Sequence, residues 1–238
     1  MAAEISVFAR NLRFLRKRRQ QSQAQFALAL GLWEETLIRF EQGRAEPDLA
    51  TLVAIADALQ APVDYLLRND LERRFQQLDG RSIRLILLDV DGTLTDGGMY
   101  YSESGDQFKR FQAKDGLAIH RLITRHGVQF GLISAGYTEQ LLRRRAAALG
   151  IERVYCGTRP KIEVAEEWLA GMGLTLQQTA FIGDDLNDLP LLRRAGFSAC
   201  PADAAPQVKA AAHLVLARKG GEGCVREFIE EVLGTDLL

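Results

Sequence analysis

Three short apolar runs constrain this chain more than anything else in it: LILLDV from Leu85, VQFGLIS from Val128 and TAFIGDD from Thr179. Each is rich in strand-forming residues, and each ends in an acid or a hydroxyl. Helical patterns such as that from Thr138 to Leu149 lie between them, so strands alternate with helices. That alternation predicts a parallel sheet, an α/β fold. Ligands in such a sheet gather beyond the C-terminal strand ends, so the residues directly after each run carry the chemistry, if any residues do.

Those ends are Asp89-Val90-Asp91-Gly92-Thr93, Ser134, and Gly183-Asp184-Asp185 with Asp188 close behind. Several carboxylates converging on one sheet edge repel unless a cation sits among them, and an oxygen-only ligand set suits magnesium. Lys161, between the second and third ends, opens a helical segment and can bring a positive charge to a bound anion. Acids, a metal, a hydroxyl and a lysine together describe phosphoryl transfer. Taken singly the signals are weak. Asp-Gly marks ordinary turns, the GDDLND segment can be a helix N-cap, and lone serines and lysines are common. A calcium loop counted from Asp89 fails, because its twelfth place is Tyr100 and not a glutamate.

The rest of the chain divides by texture. Residues 1–68 read as short helices, residues 69–81 as a helical linker with Leu71, Phe75 and Leu78 on one face, and residues 82–238 as the α/β unit. Among 238 residues, 30 basic and 31 acidic side chains leave a net charge of -1, so no global field draws the protein to nucleic acid or to a membrane. The start, MAAEISVFAR, lacks the pattern of a signal peptide, and no apolar run spans a bilayer, so a cytoplasmic protein without a membrane partner is expected. Cys156, Cys200 and Cys224 show no zinc spacing and are expected to be buried thiols.

The segments DVDGT, Ser134, Lys161 and GDDLND, in that order, resemble the four motifs of the haloacid dehalogenase superfamily. The resemblance covers the whole α/β unit and implies a Rossmann-like phosphatase in which Asp89 is the nucleophile and Asp91 the acid and base. It further implies magnesium held by Asp89, the Asp91 carbonyl and Asp184, with Asp185 and Asp188 orienting that site. Ser134, Ala135 and Lys161 are implied to hold the phosphate. No room exists for an inserted cap domain. The segment TDGGMYYSESGDQFKRFQAKDG suggests a hairpin over the site. Together with RAAALGI and the tail GGEGCVRE, it resembles the 3-deoxy-D-manno-octulosonate 8-phosphate phosphatase family. That likeness implies a homotetramer in which hairpin and tail close the site, a small phosphorylated sugar or sugar acid as substrate, and Tyr137 and Arg226 near it. Two positions depart from the family: Tyr137 stands where an arginine usually follows the glycine, and Glu222 where the tail is usually basic. A shifted substrate preference is therefore expected.

In the first 68 residues, Ser22 and Gln25 form a capping box that starts a helix. That helix is expected to stop at Gly31, with a second starting near Trp33. LRFLRKRR, SQAQFALALG and PVDYLL resemble the lambda-repressor-like helix-turn-helix family, in which the helix from Trp33 to Gln42 enters the major groove. Gln23, Thr36 and Arg39 are then the candidate DNA contacts. Residues 1–80 carry as many acidic as basic side chains, however, and Glu34 and Glu35 open the recognition helix, where they face phosphate repulsion. Two functions follow: a magnesium phosphatase with a helical appendage, or a DNA-binding regulator whose phosphatase-like unit senses a phosphorylated metabolite. Both Asp89 and Asp91 are present, which favours the enzyme. A receiver-type regulator fits poorly, because Asp91 implies acid and base chemistry and not phosphate storage.

Overall fold

The structure, a computed structural model, describes residues 5–59, 61–68, 70–72 and 83–230. The chain divides into two compact units, Met1–Gln77 and Leu78–Leu238. In the first, the described helices are α1 (Val7–Arg18), α2 (Gln23–Ala29), α3 (Glu34–Glu41), α4 (Leu49–Leu59) and α5 (Val63–Arg68). The capping box at Ser22 is present: the Gln25 amide donates to Ser22 Oγ at 3.1 Å, and the Ser22 amide to Gln25 Oε1 at 2.9 Å. Gly31 then takes a φ of 68°, a left-handed turn that releases the chain into α3 with Trp33 as its N-cap. Phe8, Leu12 and Leu15 recur along one face of α1 and are buried, and Phe8 meets Phe40 of α3 edge-on with ring centroids 6.1 Å apart. Asn11 is wholly buried yet satisfied: its amide donates to the Leu66 carbonyl at 2.8 Å and its oxygen accepts from the Leu71 amide at 2.9 Å. The linker expected over residues 69–81 falls largely outside the described residues. Leu71 is buried, whereas Phe75 and Leu78 are not among those described.

The second unit is built on β1 (Leu85–Leu88), β4 (Gln129–Ser134), β5 (Arg153–Cys156), β6 (Thr179–Ile182), β7 (Phe197–Cys200) and β8 (Leu214–Val215). These form a six-stranded sheet in the order β5-β4-β1-β6-β7-β8, parallel at every pairing. Helices α6 (Ala113–His126), α7 (Glu139–Leu149), α8 (Lys161–Met172), α9 (Leu189–Arg194), α10 (Pro206–Ala211) and α11 (Cys224–Phe228) accompany it. All four residues of β1 are completely buried, as expected of a strand apolar on both faces. Leu85 and Leu87 join Phe181, Val164, Leu169 and Leu191 in one core cluster. Strand order runs one way from β1 through β4 to β5 and the other way from β6 to β8. The reversal between β1 and β6 opens a crevice at their C-terminal ends, where Asp89 and Asp184 stand.

A two-stranded antiparallel hairpin, β2 (Tyr100–Tyr101) and β3 (Gln107–Phe108), follows β1 where the glycine-punctuated segment predicts it. It exposes Met99, Tyr100, Tyr101 and Phe108. Among the described residues no helix is long and apolar enough to cross a membrane.

Candidate active site

β1 delivers Asp89 to the crevice, because the Asp89 amide continues the sheet by donating to the Ile182 carbonyl at 2.9 Å. The chain then turns through Val90–Leu94, where Gly92 adopts a φ of 95°. A Cβ on Gly92 would lie 2.1 Å from Asp184 Oδ2, so only glycine lets this loop pass the carboxylate. Thr93 Oγ1 donates to Asp184 Oδ1 at 3.1 Å. The loops after β1 and β6 are thus fastened together by side chains from the two motifs.

Carboxylate oxygens of Asp89, Asp184 and Asp188 lie within 4.8 Å of one another. Asp188 is saturated by donors: Lys161 Nζ at 2.6 Å on one oxygen, and the amides of Asp184 at 2.9 Å and Asp185 at 3.1 Å on the other. Lys161, itself buried, also donates to Asp89. One lysine does not balance three acids. Burial pushes the Asp89 carboxyl well above the usual range, with Lys161 opposing and the neighbouring acids adding to the rise. Burial likewise lifts Asp184 to about 6. Three converging carboxylates around one lysine, two of them raised by burial, fit a hard dication, and the all-oxygen donor set fits magnesium.

Asp91 sits apart from this trio. One of its oxygens accepts from Lys109 Nζ, whose side chain is 4% exposed, and the other faces Ser134 Oγ at 3.4 Å. Ser134 is buried at the end of β4 and accepts the Gly136 amide at 3.0 Å. Beyond it, Gln107, Tyr137, Thr138, Glu139, Gln140 and Leu141 line a cavity of about 370 Å³. The crevice therefore joins a buried carboxylate, a second carboxylate flanked by an amine and a hydroxyl, and an adjoining open cavity.

Residues 154–229 match the family model for haloacid dehalogenase-like hydrolases, and residues 7–68 that for a helix-turn-helix domain. The chain is 40% identical over 152 residues to the 3-deoxy-D-manno-octulosonate 8-phosphate phosphatase of Yersinia pestis, covering 64% of this chain and 80% of that one. The chain belongs to the haloacid dehalogenase-like hydrolases. Its identity to the corresponding Haemophilus influenzae phosphatase is 39%, over 64% of this chain and 83% of that one. A solved structure of a probable YrbI-family phosphatase from Pseudomonas syringae superposes with a TM-score of 0.64 at 41% identity, over 68% of this chain and 90% of that one. The Moraxella catarrhalis 3-deoxy-D-manno-octulosonate 8-phosphate phosphatase, solved with magnesium, phosphate and KDO, does so at 0.64 and 32%, over 68% and 91%.

Within this haloacid dehalogenase-like unit the structure brings Asp89, Asp91, Ser134, Lys161, Asp184 and Asp188 together, as the motif order predicts. Asp185 is exposed, its carboxylate capping the next turn through the Leu186 amide at 2.7 Å and the Asp188 amide, while its own amide donates to Asp188 at 3.1 Å. Ala135 is exposed on the loop after β4, and Tyr137 stands 86% exposed at the cavity. The Arg226 guanidinium pairs with Glu230 at 2.6 Å, and Glu222 is exposed. Cys200 and Cys224 are buried, but Cys156, on the half-buried edge strand β5, is only partly so, and its thiol donates to the Gly136 carbonyl beside the site at 2.9 Å. Sequence reasoning missed Lys109. It lies one residue past β3 in an unremarkable QFKRF segment, and only the hairpin's return carries it to Asp91.

In the helix-turn-helix unit, Arg39 is exposed and Thr36 half-buried. Gln23 donates to Glu41 Oε2 at 3.0 Å, in a cluster where Arg16 forks onto the buried Glu41 at 2.6 and 2.9 Å. The Gln23 amide is thereby committed inside the unit.

Proposed function

We propose that the chain is a magnesium-dependent phosphomonoesterase acting through an aspartyl-phosphate on Asp89, with a small phosphorylated sugar or sugar acid as substrate. The observation that carries this reading is the division of labour between two aspartates two residues apart: one buried against a lysine and two acids, the other half-exposed beside an amine and a hydroxyl. Asp89 Oδ attacks phosphorus, the ester P–O bond breaks, and Asp91 protonates the departing oxygen. Asp91 then takes a proton from water as the water's oxygen attacks the acyl phosphate, releasing phosphate and restoring Asp89. Lys161 and Ser134 bind the phosphoryl oxygens, with the Ala135 backbone beside them, and Lys109 holds Asp91 in place. Asp89, the Asp91 carbonyl and Asp184 would hold magnesium, which when bound neutralises the nucleophile's surroundings so that an anionic phosphate can approach.

The relatives act on a sugar-acid phosphate, and this chain's cavity presents Tyr137, Gln107 and Gln140 to the leaving group. A preference displaced from that sugar acid follows. The exposed hairpin residues are the surface on which a neighbouring subunit of a tetramer would close the site. Magnesium-dependent phosphate release across a panel of sugar phosphates tests the assignment. Turnover is expected on several neutral sugar phosphates, and a strong preference for the octulosonate ester would refute the shift. The helix-turn-helix unit is read as an appendage that packs or assembles and does not read DNA. Its charge balance, the acids at the start of α3 and the committed Gln23 support that.

A further inference from the structure

The tail that follows β8 lies directly on the catalytic loop. The Gly221 amide and the Cys224 thiol both donate to the Thr93 carbonyl, at 3.0 and 3.3 Å. A Cβ on Gly220 would stand 1.9 Å from the Gly92 carbonyl oxygen, and one on Gly221 2.4 Å from the Asp96 amide nitrogen. Helix α11 packs against both the Val90–Leu94 turn and α6. The strap of residues 219–223 thus forms one wall of the loop that presents Asp89 and Asp91. Its N-cap, Gly223, has a φ of 99° and no side chain with which to cap the helix that anchors the strap.

That cap comes from elsewhere in the fold. Asp115, in the first turn of α6, is 1% exposed, and its Oδ1 accepts the Arg226 amide at 2.7 Å, the third residue of α11. The Gly223 amide also favours its charged form, as do Arg218 and Arg145. One buried carboxylate therefore serves the N-terminal amides of a helix 111 residues away in sequence. Buried carboxylates are costly, and apolar or neutral replacements at such places often stabilise a fold. An acid at this place is explained by what it positions.

We propose that Asp115 is a positioning residue for the phosphatase reaction, a cap supplied by α6 that pins the tail strap against the catalytic loop and so fixes the Asp91 carbonyl and the Asp89 carboxylate. It touches no reacting atom. The role rests on the activity assigned above but is separable from it, because the strap's order can be read without turnover. Wild type, Asp115→Asn and Asp115→Ala are compared for magnesium-dependent hydrolysis of an aryl phosphate and for hydrogen exchange of the strap and loop amides. Asp115→Ala should lower kcat at least tenfold with KM within about twofold, and should raise the magnesium concentration for half-activation severalfold. Asp115→Asn, which keeps one acceptor for the Arg226 amide, should recover part of kcat. In both variants the amides of Gly221, Arg226 and Thr95 should exchange faster while those of β1 and β6 stay protected. Wild-type kcat and magnesium activation in Asp115→Ala would overturn the proposal. So would unchanged exchange at the strap in folded Asp115→Asn, which keeps the test decisive if the alanine variant does not fold. A wild type silent on every phosphate, with strap exchange responding as described, would count against the enzymatic reading and leave the cap standing.

Discussion

At the scale of single residues, the acids of this site differ in how much of their charge is already spoken for. Asp188 gives one oxygen to Lys161 and the other to two backbone amides, so it braces the site. Asp184 has a threonine hydroxyl and a carboxyl lifted to about 6 by burial, a cost that a cation beside it would relieve. Magnesium at a hundredfold excess over its Kd should stabilise the wild type by about 2.7 kcal/mol. Thermal unfolding with and without magnesium should show that shift in the wild type and not in Asp184→Asn. Asp115 poses a different balance. Burial raises its folded pKa to about 6 from an ordinary 3.8, while Arg218, Arg145 and the Arg226 and Gly223 amides pull it down. Cys224 and Glu227 also face this region from the tail. The folded state holds this proton more tightly than the unfolded state, so the contribution of Asp115 is most favourable below pH 4 and is lost as pH rises through about 6. Asp115→Asn does not titrate, and its stability relative to wild type should therefore grow by roughly 2.4 kcal/mol between pH 4 and pH 7. Denaturant unfolding at several pH values checks this, and a flat difference would contradict it. Asp89, Asp91, Ser134, Lys161 and Asp184 were legible in the sequence because each stands at a strand end or opens the helix after one. Lys109 and Asp115 were not, because each acts through a contact that only the folded hairpin or tail creates.

Elements divide in the same way. The strands and the helices of the first unit could be read from local pattern: the Ser22 box and the Gly31 stop sit where capping places them, and the helix after Thr138 where its apolar spacing does, without a side-chain cap from Thr138. What local pattern does not encode is that Gly92 must be glycine to pass the Asp184 carboxylate, and Gly220 to pass the Gly92 carbonyl. Gly220→Ala tests the second of these. Its Cβ meets backbone and not a movable side chain, so the strap must shift. We expect kcat on an aryl phosphate to fall more than tenfold while the far-UV circular dichroism stays that of wild type. Unchanged turnover would mean the strap does not constrain the loop.

For the whole molecule, two compact units share one chain, and the composition of each is consistent with its own core. The fold class of both was legible because hydrophobic periodicity changes abruptly between them, from helical spacing to strand runs. Their functions are less evenly legible. The phosphatase motifs name atoms that must meet, and they do meet. The helix-turn-helix pattern names a scaffold whose outward face here carries Trp33, Glu34 and Glu35, and scaffold alone does not specify a ligand. The central claim is that Asp89 attacks phosphorus at a magnesium-dependent site. The most direct measurement is phosphate release from an aryl phosphate by the full chain, with magnesium and with a chelator, for wild type and Asp89→Asn. Wild type should release phosphate and the chelator should abolish that release, while a folded Asp89→Asn should lose roughly a thousandfold or more. Release that persists in the mutant, or that ignores the chelator, would contradict it.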